Sequence, residues 1–201
     1  MIFIPNYLTE SGKKLILSRE KEFVSLMLIF GHIKLLQIIS EKLNLSSNSE
    51  VQKLKDKFYL ISEEKKNSKI AHYSKFKYTI TLDPIDGTEN FYAGLPEWGI
   101  SISIYKNSKH FESCIFLPSI GAILKTNNKI KRNNSKIKSF SSNVKFTKIK
   151  RKDEFRLFGC CVYSIYHVIN GSLKNYRSEQ ANSWDILAGV NLAIENGLNV
   201  K

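Results

Sequence analysis

Between Tyr78 and Asp83 apolar and polar residues alternate, Tyr78, Ile80 and Leu82 against Thr79, Thr81 and Asp83, and the run then meets Pro84-Ile85-Asp86-Gly87-Thr88. Period-two alternation marks a strand with unlike faces, so Asp83 is expected to leave it on the polar side. Pro84 cannot donate to a ladder and is expected to stop it, while Asp86-Gly87 supplies turn chemistry. One strand end thus carries two carboxylates, in a chain whose only aspartates are Asp56, Asp83, Asp86, Asp153 and Asp185. Asp185 falls in the first turn of a predicted helix, where the macrodipole favours a carboxylate. Carboxylates crowded at a strand end repel unless a cation stands between them. A hard divalent ion such as Mg²⁺, which prefers carboxylate, carbonyl and water oxygens, is the expected answer.

Other phosphate chemistries fail on spacing. Haloacid-dehalogenase phosphatases need two aspartates two residues apart, but Ile85 follows Asp83 by two and Thr88 follows Asp86 by two. The ten glycines form neither a Walker-type loop nor GxGxxG, so nucleotide-cradling folds are unsupported. The 201 residues suit one globular domain of at most two small lobes. Leu26 to Phe30 is the longest apolar stretch, far short of the roughly 20 residues of a membrane span. The first residues lack a basic signal-peptide n-region; a cytoplasmic location is expected. Cys114, Cys160 and Cys161 have no metal-ligand spacing and read as reduced core thiols.

The remaining pattern predicts a helix over 18–43, capped by Ser18, and a loop over 44–50. A short strand is expected over 58–61, and a hairpin of 99–105 with 111–116. A strand over 155–160 and a helix over 163–169, ended by Asn170-Gly171, follow. Ser183 is the expected cap of a last helix in which Ile186, Leu187, Val190 and Ile194 share a face and Gly197 ends it.

The charge is uneven. Of 31 basic and 18 acidic residues, nine lysines and two arginines lie between positions 125 and 152, with no acid among them. Such a run can hold phosphate backbones. Only Phe140 and Phe146 interleave with it, however, and lysine dominates, so stacking platforms and arginine forks are missing. A solvated, variable connector is the expected reading. It divides the chain into an N-terminal α+β lobe with the metal-site motif (1–124), the basic connector (125–152) and a partial C-terminal α/β lobe (153–201).

LDPIDGTENF (82–91) resembles the signature of the inositol monophosphatase family, including its bacterial suppressor-type members. SWDILAGVNLAIENG (183–197) is similar to the family's second signature, a Trp-Asp pair opening a helix. The resemblance extends over most of the chain from about Phe58. It implies an α/β (α+β) fold, the layered αβαβα sugar-phosphatase architecture, and Mg²⁺-dependent hydrolysis of inositol monophosphate or a related sugar or polyol phosphate monoester. By the same resemblance Glu63, with Glu64 as its neighbour and alternative, Asp83, the Ile85 carbonyl, Asp86 and Asp185 correspond to metal ligands. Glu63 and Thr88 correspond to the catalytic pair that orients the attacking water, and Asp86, Gly87, Thr88 and Asp185 line the substrate. A homodimer is implied as well.

Four departures stand out. No Thr-x-x-Asp segment precedes the site; Ser178 replaces a substrate-binding glutamate; Cys160-Cys161-Val162 replaces a small-residue loop; and Asn196 breaks the second signature. The chain stops at Lys201, whereas family members continue with a further strand and helix, so a fold incomplete at its C-terminal end is expected. The alternative reading is a catalytically impaired member that binds RNA or the transcription machinery through residues 125–152.

Overall fold

The structure is a computed structural model, and it describes residues 58–63, 76–145 and 154–201. The expected helix over 18–43, the loop over 44–50, Glu64, Asp56, Asp153 and the last part of the basic run lie outside the described residues.

Five strands form the main sheet in the order β1-β2-β3-β4-β5: β1 Phe58–Ser62, β2 Tyr78–Asp86, β3 Gly99–Lys106, β4 Lys109–Leu117 and β5 Ala122–Lys125. The pair β1 and β2 is parallel, and the other pairs are antiparallel. The expected hairpin is β3 with β4. Its turn is tighter than the sequence suggested, because Asn107 and Ser108 both adopt positive φ, which matches the twist of a two-residue loop. A second, three-stranded sheet of parallel pairs has the order β7-β6-β8, from β6 Lys138–Phe140, β7 Phe155–Arg156 and β8 Asn175–Arg177. Among the described residues three α-helices accompany them: α1 Thr88–Tyr92, α2 Cys161–Ile169 and α3 Ser183–Glu195. No helix among the described residues is long and apolar enough to cross a membrane.

The alternation in β2 does not divide a buried face from a wet one. Tyr78, Ile80 and Leu82 join Ile100, Ile102, Ile104 and Cys114 in an apolar cluster, yet Thr79, Thr81 and Asp83 on the other face are buried too. That second face pairs across to Tyr105, Ser103 and Ser101 of β3, and α3 packs on it. The helix meets the hydroxyls of β3, while Thr81 Oγ1 of β2 is buried without a partner among the described residues. Asn191 Nδ2 donates to Ser103 Oγ (3.0 Å) and to Tyr105 Oη (2.8 Å), and Ser101 Oγ donates to the Trp184 carbonyl (3.0 Å). Burying polar groups in pairs is what makes such a face tolerable. The apolar side of α3, with Ala188, Leu192 and Ala193, packs with Val162, Ile165 and Ile169 of α2 and with Ile115, Leu117 and Leu124.

The basic span is not a free connector over its described length. Its first residue ends β5, its middle forms β6, and Ser139, Phe140 and Val144 are buried. Between them Asn133 N–H donates to the Asn170 carbonyl (2.8 Å) and Ser135 N–H to the Gly171 carbonyl (3.1 Å), which docks the segment on the end of α2. Two of its cations cap helices: Lys129 Nζ donates to the Glu195 carbonyl, and an Arg132 guanidinium nitrogen to that of Val168 (3.4 Å).

Candidate active site

β2 does not stop at Pro84. The ladder with β3 shifts register between Asp83, opposite Ser101, and Asp86, opposite Gly99. A proline sits in a sheet only where no ladder bond is asked of it, and this irregularity provides such a place. The bulge turns the segment back on itself. Ile85 N–H donates to Asp83 Oδ1 (3.0 Å), and Thr88 Oγ1 donates to the Ile85 carbonyl (2.9 Å). Gly87 then caps α1 with φ 84°. A side chain there would be strained, and its Cβ would stand 2.8 Å from the Glu97 carbonyl oxygen and 2.9 Å from Cys160 Cβ. The glycine is thus required both by the turn and by the close approach of the loop before α2.

That loop brings the second group of residues. The expected strand over 155–160 ends at Arg156, because Gly159 takes φ 68° and Cys160 becomes the extended N-cap of α2. Asn90 Nδ2 holds the loop against α1 by donating to the Glu97 carbonyl (2.7 Å) and the Phe158 carbonyl (2.5 Å). Asp86 Oδ2 in turn accepts from Val162 N–H at 2.6 Å and from the Cys160 thiol at 3.3 Å. A carboxylate there satisfies an orphan N–H of the first turn and meets the positive end of the helix.

The cap of α3 is Asn182 rather than Ser183, which is the first helical residue. Asn182 and Asp185 form a reciprocal capping box, in which Asp185 Oδ2 accepts from Asn182 N–H (2.8 Å) and Nδ2 (3.2 Å). The Asn-x-x-Asp spacing was visible in the sequence as a capping pattern.

These elements converge on one cleft of about 300 Å³ lined by Glu63, Asp83, Ile85, Asp86, Gly87, Thr88 and Asp185, so the residues singled out within the described part of the chain come together. Its far wall, from Phe140, Ser141, Cys161, Tyr176, Ser178 and Gln180, had no sequence signal as a unit, because it is assembled from the second sheet and the start of α2. Glu63 is exposed, in the turn after β1.

No lysine, arginine or histidine is among the described residues lining this cleft, and the electrostatics follow. Burial, then the charges of Asp86 and Glu63, push the Asp83 carboxyl up to about 9. Burial raises Asp86 to about 6 against the opposing pull of the Val162 N–H and the Cys160 thiol. Asp185 is raised by burial. Burial, then the Asp86 charge, holds the Cys160 thiol well above its usual range, so it is a donor to Asp86 rather than a nucleophile. A concave site rich in destabilised carboxylates suits a hard cation, whose charge would reverse each of these shifts. Among the described residues no three His, Cys, Asp or Glu side chains already stand as a metal-ligating group. Asp86 is held by an N–H of the start of α2 and Asp185 by the cap of its own helix, so the carboxylates share a cleft without being drawn to a common point.

A pH dependence of stability follows. In metal-free protein the folded state keeps the Asp83 proton up to about pH 9, while the unfolded chain releases it near the usual 3.8. The favourable state is therefore fully present below the lower value and is lost as pH rises toward the higher one. The slope is at most about 1.4 kcal/mol per pH unit for this group. Urea unfolding of chelator-treated protein should show a lower midpoint near pH 8 than near pH 5, and Mg²⁺ should close the gap. Equal midpoints without metal would mean that Asp83 ionises freely in the empty cleft.

Fold and cleft together define the α/β layered sugar-phosphatase class. A model described as the inositol monophosphatase family matches residues 35–200, and the chain belongs to that family. The Ca-bound IMPase family protein from Staphylococcus aureus superposes with a TM-score of 0.64 at 21% identity, over 93% of this chain and 81% of that one. The Thermotoga maritima IMPase gives 0.60 at 24% identity, over 74% and 64%. At such identities these structures speak for the fold. Among curated relatives, the fructose-1,6-bisphosphatase of Pyrococcus furiosus is 38% identical over 42 residues, which span 21% of this chain and 16% of that protein.

Proposed function

We propose that the protein is a Mg²⁺-dependent phosphatase that hydrolyses inositol monophosphate or a related sugar or polyol phosphate monoester. The observation that carries this reading is the single cleft in which Glu63, Asp83, Asp86 and Asp185 gather without a cationic neighbour among the described lining residues. Solved proteins of this fold described in complex with Mg²⁺ and phosphate, and with D-inositol 1-phosphate, support it.

Glu63, Asp83, the Ile85 carbonyl, Asp86 and Asp185 would hold the metal. When bound, Mg²⁺ supplies charge neutralisation at the phosphate and a lowered pKa for a coordinated water. The chain's own residues do the rest. Thr88 Oγ1 donates a hydrogen bond to the Ile85 carbonyl at 2.9 Å, so its lone pairs remain to accept a hydrogen bond from the attacking water and aim it. Glu63, exposed at the cleft, takes one proton from the water as its oxygen bonds to phosphorus and the ester P–O bond breaks, and the departing alcohol oxygen takes up a proton from solvent. Gly87, with no side chain, lets the phosphate approach the backbone of the turn beside Asp86 and Thr88, and Asp185 faces the alcohol side of the substrate.

The test is phosphate release by purified protein from inositol 1-phosphate, with fructose 1,6-bisphosphate as a second substrate. Release that requires Mg²⁺, stops on chelation and returns on re-addition is expected. No metal-dependent release from either compound would end this reading.

A further inference from the structure

Two of the cleft's aspartates come from distant parts of the chain, Asp83 from a sheet strand and Asp185 from a helix packed on that sheet. One hydroxyl joins their supports. Ser101 lies on β3 directly opposite Asp83 in the ladder, is fully buried, and its Oγ donates to the carbonyl of Trp184, the residue before Asp185, at 3.0 Å. We infer that Ser101 is a positioning residue that sets the place of Asp185 relative to Asp83, and so tunes how tightly the cleft binds a divalent cation. This rests on the metal-dependent reading proposed above.

The physical case is one of register. An apolar helix face can slide on an apolar sheet at little cost, because dispersion and burial are not directional. A helix rises about 1.5 Å and turns about 100° per residue, so a slip of one residue would carry Asp185 away from its place by a distance comparable to a metal–oxygen bond. The face between α3 and the sheet is not wholly apolar. Ser101 grips the first turn, and two turns further on Asn191 grips Ser103 at 3.0 Å and Tyr105 at 2.8 Å. Buried polar contacts of this kind are satisfied in one register only, and misalignment leaves them unpaired. Of these contacts only the one from Ser101 reaches the residue beside a cleft aspartate. The capping box fixes Asp185 to Asn182 within its own helix start but says nothing about where that helix start lies on the sheet.

The experiment measures Mg²⁺ binding by isothermal titration calorimetry, with no substrate present, and metal-free Tm alongside it. Ser101→Ala removes the hydroxyl, and an affinity about 10-fold weaker is expected, the scale on which residues supporting metal ligands act. Activity should recover at saturating Mg²⁺, a shift in metal requirement rather than in maximal rate. Ser113→Ala is the matched control: Ser113 is equally buried on the same face and is bonded to Ser103, His110 and, at 3.4 Å, to Asn191 two turns along α3, away from the Trp184 carbonyl at the start of that helix. It should lower Tm comparably and leave Mg²⁺ affinity unchanged. Ser101→Cys keeps the shape with a weaker donor and carries the test if the alanine variant does not fold; an intermediate loss of affinity is expected. If the folded Ser101 variants bind Mg²⁺ as the wild type does, or if Ser113→Ala weakens binding equally, the positioning role is overturned while the phosphatase reading stands. If wild-type protein binds no Mg²⁺, both fall together.

Discussion

Asp83→Asn should abolish metal-dependent phosphate release while making the metal-free protein more stable. The two effects have one cause. Asp83 is 1% exposed, and burial together with its acidic neighbours makes its charge unwelcome until a cation arrives. Asparagine has nearly the same shape and can still accept the Ile85 N–H through its own side-chain oxygen, so the turn keeps its hydrogen bond. What is lost is the negative charge that would hold the metal. We expect a fall in rate of at least about 100-fold, the scale set by removing one preorganised electrostatic partner. The chelated variant should unfold at a higher urea concentration than chelated wild type near pH 8, and its pH slope should flatten. An Asp83→Asn protein that retained full Mg²⁺-dependent turnover would remove the central ligand from the mechanism. One that lost activity and stability together would point instead to a structural role for the carboxylate.

The second large effect lies far from the cleft. Gly171, which follows the end of α2, has φ 76°, and a Cβ there would fall 2.1 Å from the carbonyl oxygen and 2.7 Å from the nitrogen of Asn133. Those are backbone atoms, and the nitrogen is one of the two N–H groups through which the basic segment docks on the end of α2. Gly171→Ala must therefore strain the helix end, at about 1–2 kcal/mol, and also disrupt pairing worth about 1 kcal/mol per hydrogen bond. A loss of about 3 kcal/mol, or roughly 6–12 °C in Tm for a chain of this size, is expected by thermal unfolding. Gly189→Ala is the contrast. Its Cβ would meet Ile165 Cγ2 at 2.7 Å and Cδ1 at 2.8 Å, atoms of a side chain that can shift, and alanine is the better helix former. Its loss should be much the smaller of the two. Equal losses would show that the docking of residues 133–135 contributes little.

The site was legible where its chemistry is local. Asp83 and Asp86 sit in one turn and Asp185 in the first turn of a helix, so position drew notice to the three aspartates, while the family resemblance supplied Thr88 and the roles, and the cleft gathers all four. Asn182 was legible in principle through its capping spacing, but the neighbouring serine is an equally good cap by residue type. What the sequence could not convey came from contacts between distant segments. The Cys160 thiol and the Val162 N–H reach Asp86 across more than seventy residues of chain. The polar side of β2 read as a wet face because alternation usually means one. It is buried because α3 packs across β2 and β3 and brings Asn191 and the Trp184 carbonyl to the hydroxyls of β3 beside it, and no periodicity in β2 or β3 could announce that. The segment after β5 read as a connector for a similar reason: its lysines dominate the composition, while the three residues of β6 within it are too few to show a period.

The helix-capping contacts of Lys129 and Arg132 give part of the positive surplus an internal purpose. Each places a cation where a helix ends in unpaired carbonyls and the negative pole of its dipole. The two helices concerned are the ones whose other ends meet Asp86 and carry Asp185. Each therefore starts beside a carboxylate and has one of its last carbonyls met by a cation, and α3 also ends on the Glu195 carboxylate. Charge-neutralising changes at 129 or 132 would loosen the helix ends they cap and leave the cleft's electrostatics as they are, because such end effects fade within a turn, and high salt would weaken the same contacts in the unaltered protein.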